Sequence, residues 1–293
     1  MLLFSISIPS MAQPTVSFTF DDGSTADRPG YAFETWNQLI LDHLETANLT
    51  AAFFVTGQNK TSKKGQYLLK SWADAGHLIG NHTFTHPNYS KEENGPALFK
   101  EELIKTDNII AAYSTYTKRF RFPYLKEGNS PEKVAAYRQI LDAQGYKNGY
   151  VTIDASDWYI DSRLVTRLKA DPNADIEAFK QYYIAHLYER AQFYEELSYK
   201  INKRHVKHTL LLHHNLASAL FLDDLIAHFK AKGWTIVSAK EAFQDPIYAL
   251  RPSYAGESLI YALARDAKTF DHLLRIPPED SQFEKEKMDA LGL

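Results

Sequence analysis

The sequence predicts an α/β fold with a parallel sheet, either open or closed into a barrel, and three observations carry that reading. Short apolar runs of strand length alternate with stretches of helical periodicity. Three of the helical stretches stop at a glycine that leads toward the next apolar run, as αβ connections commonly do. Ionisable residues gather where the apolar runs finish, the face on which α/β barrels build their sites.

In chain order, Val16–Phe20, Ala51–Val55, Leu78–Ile79, Tyr150–Ile153, Thr209–Leu212 and Thr235–Val237 read as buried strands. Between them, Phe33–Thr46, Gln66–Ala75, Pro96–Tyr113, Pro131–Gln144 and Ala217–Lys232 read as helices, with Gly76, Gly145 and Gly233 at three of the helix ends. Ser130-Pro131 suits a helix start, with Ser as N-cap and Pro at the first helical position. Asp171–Lys203 is a long helical pattern rich in Tyr, Phe and Leu, read as a surface helix packing that stripe on the barrel, with a ligand groove as the alternative. Ser258–Arg275 reads as another amphipathic helix, ended by Pro277-Pro278, and the charged stretch Glu279–Leu293 caps or trails from the domain.

At 293 residues the chain suits one large core. A net charge of −3 without a long Lys/Arg cluster gives no electrostatic footprint for nucleic acid. The absence of Cys removes disulfides, thiol nucleophiles and Cys-based metal sites. No segment approaches the ~18 apolar residues that span a membrane. Met1–Ile8 is apolar, and Ser10-Met11-Ala12 before Gln13-Pro14 resembles a signal-peptidase site, although the apolar stretch is short and lacks a basic start. Residues 1–13 are read as a clipped export signal, with a disordered lead-in as the alternative. A periplasmic or secreted location follows from the first, and the cytoplasm stays open under the second.

The chemistry-bearing residues sit at strand ends. Asp21 and Asp22 end the first run, His82 and His86 follow the third, Asp157 and Trp158 follow Tyr150–Ile153, and His213 and His214 end Thr209–Leu212. One carboxylate (Asp22) and two imidazoles (His82, His86) form the set that holds a catalytic zinc while leaving positions open for water and substrate. Asp21 is then placed to take a proton from that water. Each piece alone is weak, because Asp-Asp-Gly also reads as an ordinary turn.

Five segments taken together are specific: Thr19-Phe20-Asp21-Asp22-Gly23, His82-Thr83-Phe84-Thr85-His86, Arg121-Phe122-Pro123-Tyr124, Asp154-Ala155-Ser156-Asp157-Trp158 and Leu211-Leu212-His213. In this order they resemble the polysaccharide deacetylases of carbohydrate esterase family 4, which include chitin, peptidoglycan and nodulation-factor deacetylases. The resemblance runs from about Pro14 to Pro246. It implies a distorted (β/α) barrel over residues 14–246 as the catalytic domain, with residues 247–293 as a helical C-terminal extension beyond it.

The resemblance further implies a divalent metal, usually zinc, on Asp22, His82 and His86, with Asp21 as general base. His213 becomes the general acid, and the backbone N–H of Tyr124 an oxyanion donor. Arg121 is expected to pair with Asp21 and keep it ionised, and Asp157 to pair with His213 and raise its pKa. Thr83 is expected to steady the histidine loop, Pro123 and Tyr124 mark Arg121 rather than Arg119 as the motif arginine, and Tyr124 and Trp158 offer apolar walls to a sugar or acetyl group. The family often carries Asp after its last histidine, whereas this chain has His214-Asn215, so His214 is a second candidate acid. Ser24–Tyr31, Pro87–Gly95 and Ser156–Pro172 are expected to be the loops that set specificity. The expected partner is an acetylated glycan and the expected reaction removal of N-acetyl groups. An O-acetyl esterase acting on acetylated xylan, or an inactive glycan-binding barrel, are the alternatives.

Overall fold

The computed structural model describes residues 13–274 and 281–293. The first half runs β1 (Thr15–Asp22), α1 (Phe33–Thr46), β2 (Ala52–Val55), α2 (Lys63–Asp74), β3 (Leu78–Asn81), α3 (Pro96–Ile110), β4 (Tyr116–Phe120), α4 (Pro131–Ala143) and β5 (Lys147–Asn148). The second half runs α5 (Asp157–Ala170), α6 (Glu177–Asn202), β6 (Lys207–His213), α7 (Leu216–Ala231), β7 (Thr235–Ile236), α8 (Ala239–Ala242), α9 (Leu259–Ala267) and α10 (Ser281–Ala290). The export-signal reading of the N-terminus and the Pro277-Pro278 helix stop lie outside the described residues.

Every ladder is parallel, in the order β5-β4-β3-β2-β1-β6, with β7 on the start of β1. β1 is the hub. It pairs with β6 from Thr15 to Asp21 and with β2 from Thr19 to Asp22, so its carboxyl end is gripped on both edges. The curled sheet is a distorted (β/α) barrel with a helical C-terminal region, as the sequence predicts.

Local chemistry accounts for the helix limits. Ser130 caps α4 by accepting the Lys133 N–H, and Asn215 caps α7 by accepting the Ser218 N–H at 2.8 Å. Gly76, Gly145 and Gly233 follow helices with φ of +82°, +71° and +82°, the left-handed turn that glycine adopts without a Cβ penalty.

Five expectations need correction, the first being the Ser258–Arg275 helix, which ends at Ala267 where Lys268 turns left-handed with φ +55°. β4 went unread because Thr117, Lys118 and Arg119 break the apolar run; burial of Phe120 and the ladder to β3 carry it instead. Tyr150–Ile153 forms no ladder strand. It is joined to β6 by one bridge, Ile153 to Leu210. Most of the expected loop Ser156–Pro172 is helix α5, whose Ile160, Leu164, Val165 and Leu168 are buried on one face. The long helix starts at Glu177 rather than Asp171, since the Asp171 and Asp175 carboxylates accept the N–H of Asn173 and Glu177 and hold the backbone in turns.

The core is continuous between sheet and helices, and a second aromatic cluster sits under the 87–95 loop. There Phe122 stacks on Phe99 at 5.4 Å and meets Phe120 edge-on at 4.8 Å. Those two anchors fix Arg121 between them. At the other end of the chain, α10 packs onto the barrel with Glu284 and Met288 fully buried.

Candidate active site

Asp21 and Asp22 end β1 on opposite sides of the strand, as the period of two requires. The Asp21 side chain is 3% exposed and that of Asp22 44% exposed. Parallel register sets His213 beside Asp21, and the end of β3 brings His82 to the same rim.

His82 Nδ1 lies 2.8 Å from the Arg121 carbonyl, so this nitrogen carries the proton and leaves a lone pair on Nε2. His86 Nε2 lies 3.2 Å from that atom, and Asp22 Oδ1 lies 3.5 and 3.7 Å from the two histidine nitrogens. A tetrahedral ion with bonds of about 2.0–2.2 Å needs ligand atoms roughly 3.3–3.6 Å apart, so the donor set fits a small divalent cation. Burial holds both imidazoles down to about 4, which keeps them neutral donors near pH 7. For Asp22 burial acts upward, but His213, His82 and His86 outweigh it and keep the carboxyl below its ordinary value. Among the described residues this is the one group of three or more His, Cys, Asp or Glu side chains able to share an ion.

The histidine loop is held by acceptors. Thr83 Oγ1 accepts the His86 N–H at 3.0 Å, Asn81 Oδ1 accepts the Thr83 N–H at 2.9 Å, and Glu102 Oε2 accepts the N–H of Phe84 and Thr85 at 2.9 and 2.6 Å. Sequence reasoning missed Asn81 and Glu102. A signal existed for Glu102, a carboxylate on the buried face of α3 beside Phe99, Leu103 and Thr106. Backbone strain concentrates here as well. Asp22, Thr83, His86, Tyr124 and Leu125 have φ between +54° and +78°. Such conformations cost about 1–3 kcal/mol each and persist only where the surroundings enforce them.

Opposite stand two carboxylate pairs. Asp21 Oδ1 meets Arg121 Nη1 at 2.6 Å, while Asp21 Oδ2 lies 3.7 Å from His82 Nε2. Arg121 also donates to Thr19 Oγ1 and to the Gly149 carbonyl, and its guanidinium lies 4.0 Å from the Phe54 ring centre. The pair forms, yet burial outweighs the arginine and pushes the Asp21 carboxyl up to about 6. The expected Arg121 pair is present, and it limits a rise that desolvation drives. Arg119 points elsewhere, onto Phe243 at 4.0 Å.

In the second pair, His213 Nδ1 lies 2.7 Å from Asp157 Oδ1, and Asp157 Oδ2 accepts the His213 N–H at 2.8 Å and Asn215 Nδ2 at 3.1 Å. Burial pulls the His213 imidazole down, but Asp157, with Asp22 and Asp21, raises it well above its ordinary value. His214 is its opposite. It is buried against Trp36 and Phe53, with Nε2 3.0 Å from Asn37 Oδ1, and burial drives its pKa well below normal. Of the two candidate acids, only His213 lines the cavity.

That cavity, about 320 Å³, is lined by Asp21, Asp22, His82, His86, Tyr124, Leu125, Trp158, Leu211 and His213. Tyr124 is 48% exposed with its ring 4.6 Å from His86, and Trp158 is 36% exposed at the start of α5. Pro123 opens the turn that carries Tyr124. Lys60 was also missed: it is 3% exposed, and burial brings its ammonium down to about 8. A larger cavity of about 530 Å³ lies beside Arg119, Tyr150 and Phe243. Its Arg138 and Arg251 are held by Glu127 and Asp142, and it contains neither the donor triad nor the two carboxylate pairs.

Residues 9–148 match the family model described as polysaccharide deacetylase. A peptidoglycan-N-acetylglucosamine deacetylase of Bacillus cereus is 31% identical over 144 residues, 49% of this chain and 46% of the relative. The Listeria monocytogenes enzyme of the same description is 26% identical over 169 residues, 56% of this chain and 32% of the relative. The chain thus spans less than half the length of the curated relatives it matches. Among solved structures, a family 4 carbohydrate esterase from Streptomyces lividans covers 79% of this chain and 97% of its own, at 21% identity and a TM-score of 0.51. A carbohydrate esterase family 4 pseudoenzyme from Bacillus anthracis covers 78% of this chain and 65% of its own, at 20% identity and 0.53. At such identities the likeness is one of fold. The family match over residues 9–148, the relatives and the barrel agree in supporting a polysaccharide deacetylase of carbohydrate esterase family 4.

Proposed function

We propose that this chain is a metal-dependent hydrolase that removes N-acetyl groups from an acetylated amino-sugar polysaccharide or oligosaccharide, with zinc on Asp22, His82 and His86. The observation that carries this reading is the meeting of that donor triad with a carboxylate–arginine pair and a carboxylate–histidine pair around one 320 Å³ cavity. A bound zinc ion lowers the pKa of its water toward about 7 and polarises an acyl oxygen. Asp21 Oδ2 receives the proton of the attacking water, while Arg121 holds the other carboxylate oxygen and fixes its aim. The backbone N–H of Tyr124 donates to the acyl oxygen as negative charge develops there; such a donor is worth about 3–4 kcal/mol in other enzymes. His213, oriented through Nδ1 by Asp157, delivers a proton from Nε2 to the departing amine. Tyr124 and Trp158 wall the acetyl methyl or a sugar face.

A full base–acid pair distinguishes this reading from an inactive glycan-binding barrel, which needs neither proton carrier. Residues 14–246 carry the deacetylase core, and residues 247–293 are an extension packed onto it. A periplasmic or secreted setting suits a glycan substrate of the kind the relatives are named for, and no helix among the described residues is long and apolar enough to cross a membrane. The deciding experiment measures acetate release from chitooligosaccharides, peptidoglycan and acetylxylan, before and after chelation and with zinc restored. Metal-restored release from an N-acetylated glycan is expected. Release from acetylxylan alone would make the chain an O-acetyl esterase, and release from none would overturn the hydrolase reading.

A further inference from the structure

We infer that the C-terminal helix α10 positions the general acid: Glu284, acting through His186 and the Ser156 backbone, sets the Asp157–His213 pair. The inference rests on the proton-donor role given to His213 above. It concerns residues outside the family match, which stops at residue 148.

The chain of contacts begins with a carboxylate that has no exposure at all. Glu284 is 0% exposed and is met by one stripe of α6: Tyr182, His186 and Arg190 stand four residues apart, so their side chains share a helix face. The Tyr182 hydroxyl donates to Glu284 Oε2 at 2.5 Å, Arg190 Nη2 donates to Oε1 at 2.9 Å, and His186 Nδ1 lies 3.2 Å from Oε2. A buried carboxylate this fully met is costly to assemble.

The next link is set by tautomer. The Ser156 N–H, a donor that cannot invert, points at His186 Nε2 at 3.0 Å. That nitrogen must therefore carry the lone pair and Nδ1 the proton. Glu284 is the acceptor that holds the proton there. Remove the carboxylate and the Nδ1 proton loses its buried acceptor, so the tautomer rests on the Ser156 N–H alone; with the proton on Nε2, two N–H groups would face each other.

Ser156 stands immediately before Asp157, at the start of α5. The peptide that His186 holds is thus one residue from the carboxylate that binds His213 by both its ring and its backbone N–H. Other contacts seat α10 away from Ser156: Asp289 pairs at 2.7 Å with Arg163, in the middle of α5, and Met288 is fully buried. Glu284 and His186 are positioning residues, since neither lines the cavity.

The test compares Glu284→Ala, His186→Leu and His186→Gln with Asp289→Ala, which loosens the same helix off the path. Each protein is checked for native circular dichroism and for zinc affinity. Glu284→Ala and His186→Leu are expected to lower kcat on an N-acetylated oligosaccharide about tenfold or more, with KM and zinc affinity within about twofold, as for supporting partners elsewhere. His186→Gln can accept from Ser156 and donate toward Glu284, and is expected to recover most of that loss. Asp289→Ala should match the unmodified protein.

Amide hydrogen exchange across residues 150–160 supplies a reading that needs no substrate. Exchange at Ser156 and Asp157 should rise at least fivefold in Glu284→Ala while β1 and β6 stay protected. A folded Glu284→Ala protein with unchanged kcat, or with unchanged exchange at Ser156 and Asp157, overturns the inference. If the unmodified protein releases no acetate from any substrate, the functional reading fails, and the exchange result alone decides whether Glu284 sets this arm.

Discussion

Asp21 and Asp157 each hold a basic partner at 2.6–2.7 Å across the same cavity, yet the two pairs stand on different scaffolds. Asp21 ends β1, paired on both edges, and Arg121 is fixed at the end of β4 by the aromatic cluster around Phe122. Everything in that arm is strand-borne. Asp157 starts a helix, and its setting passes through α6 to α10 at the far end of the chain. Desolvation acts on both arms, and the partner decides the sign. Burial wins over Arg121 and lifts Asp21 to about 6; Asp157 wins over burial and lifts His213. The two shifts run in the directions that the proposed base and acid roles call for.

The largest effect should come from breaking the strand-borne arm. Asp21→Asn keeps the shape and the contact to Arg121 but cannot receive a proton. A general base contributes about 10²–10⁴-fold, so kcat is expected to fall by about 10³ on both an N-acetylated oligosaccharide and 4-nitrophenyl acetate. Turnover within tenfold of the unmodified enzyme on either substrate would take the base role from Asp21.

The helix-borne arm should respond to the leaving group. His213→Asn is expected to cost about 10²-fold on the amide, whose nitrogen needs a proton to depart. On 4-nitrophenyl acetate, which leaves as a stable phenolate, the loss should stay below about tenfold. Equal losses on the two substrates would erase the distinction between the arms.

What the sequence disclosed reaches both carboxylate pairs, Asp157 with His213 included, and stops at their distant supports. The β1 carboxylates, the histidine loop and Arg121 could be read because each lies in a short contiguous segment at a strand end. His186 could not: nothing near it in sequence announces that Glu284, 98 residues on, will fix its tautomer. β4 escaped because one residue, Phe120, carries its burial, and α5 escaped because Asp154 to Trp158 reads as a loop until the buried face behind it is seen. The upward push of burial on Asp21 escaped for a related reason. A charged neighbour is visible in sequence, whereas complete desolvation is a property of the folded barrel.

Acid stability offers a smaller effect on the strand scaffold. His77 is 2% exposed beside Trp72, its Nδ1 accepts the Ala51 N–H at 3.1 Å, and burial lowers its pKa from 6.5 to about 4. The unfolded chain takes up this proton first, so stability falls as pH drops from about 6.5 and levels off below about 4. The difference amounts to at most about 3 kcal/mol. His77→Gln can still accept the Ala51 N–H but does not titrate. Urea unfolding at pH 7.5 and pH 4.5 should show a smaller acid loss for His77→Gln than for the unmodified protein; equal losses would remove His77 from the account.

The smallest effect separates loop from strand within the metal corner itself. Thr83→Val preserves shape and leaves the His86 N–H without its 3.0 Å acceptor. Asn81 and Glu102 still grip the loop on either side, so the loss should stay near the cost of one buried donor, about 1–2 kcal/mol. With His86 as one of the three proposed ligands, that cost should surface as zinc affinity weakened by about five- to thirtyfold in a chelator competition, at about 1.4 kcal/mol per tenfold. The ratio of amide to aryl-acetate turnover at saturating zinc should not move, since His213 is set from the other side of the cavity. A change in that ratio would mean that the histidine loop and the acid arm share a support, and the two scaffolds would no longer count as separate.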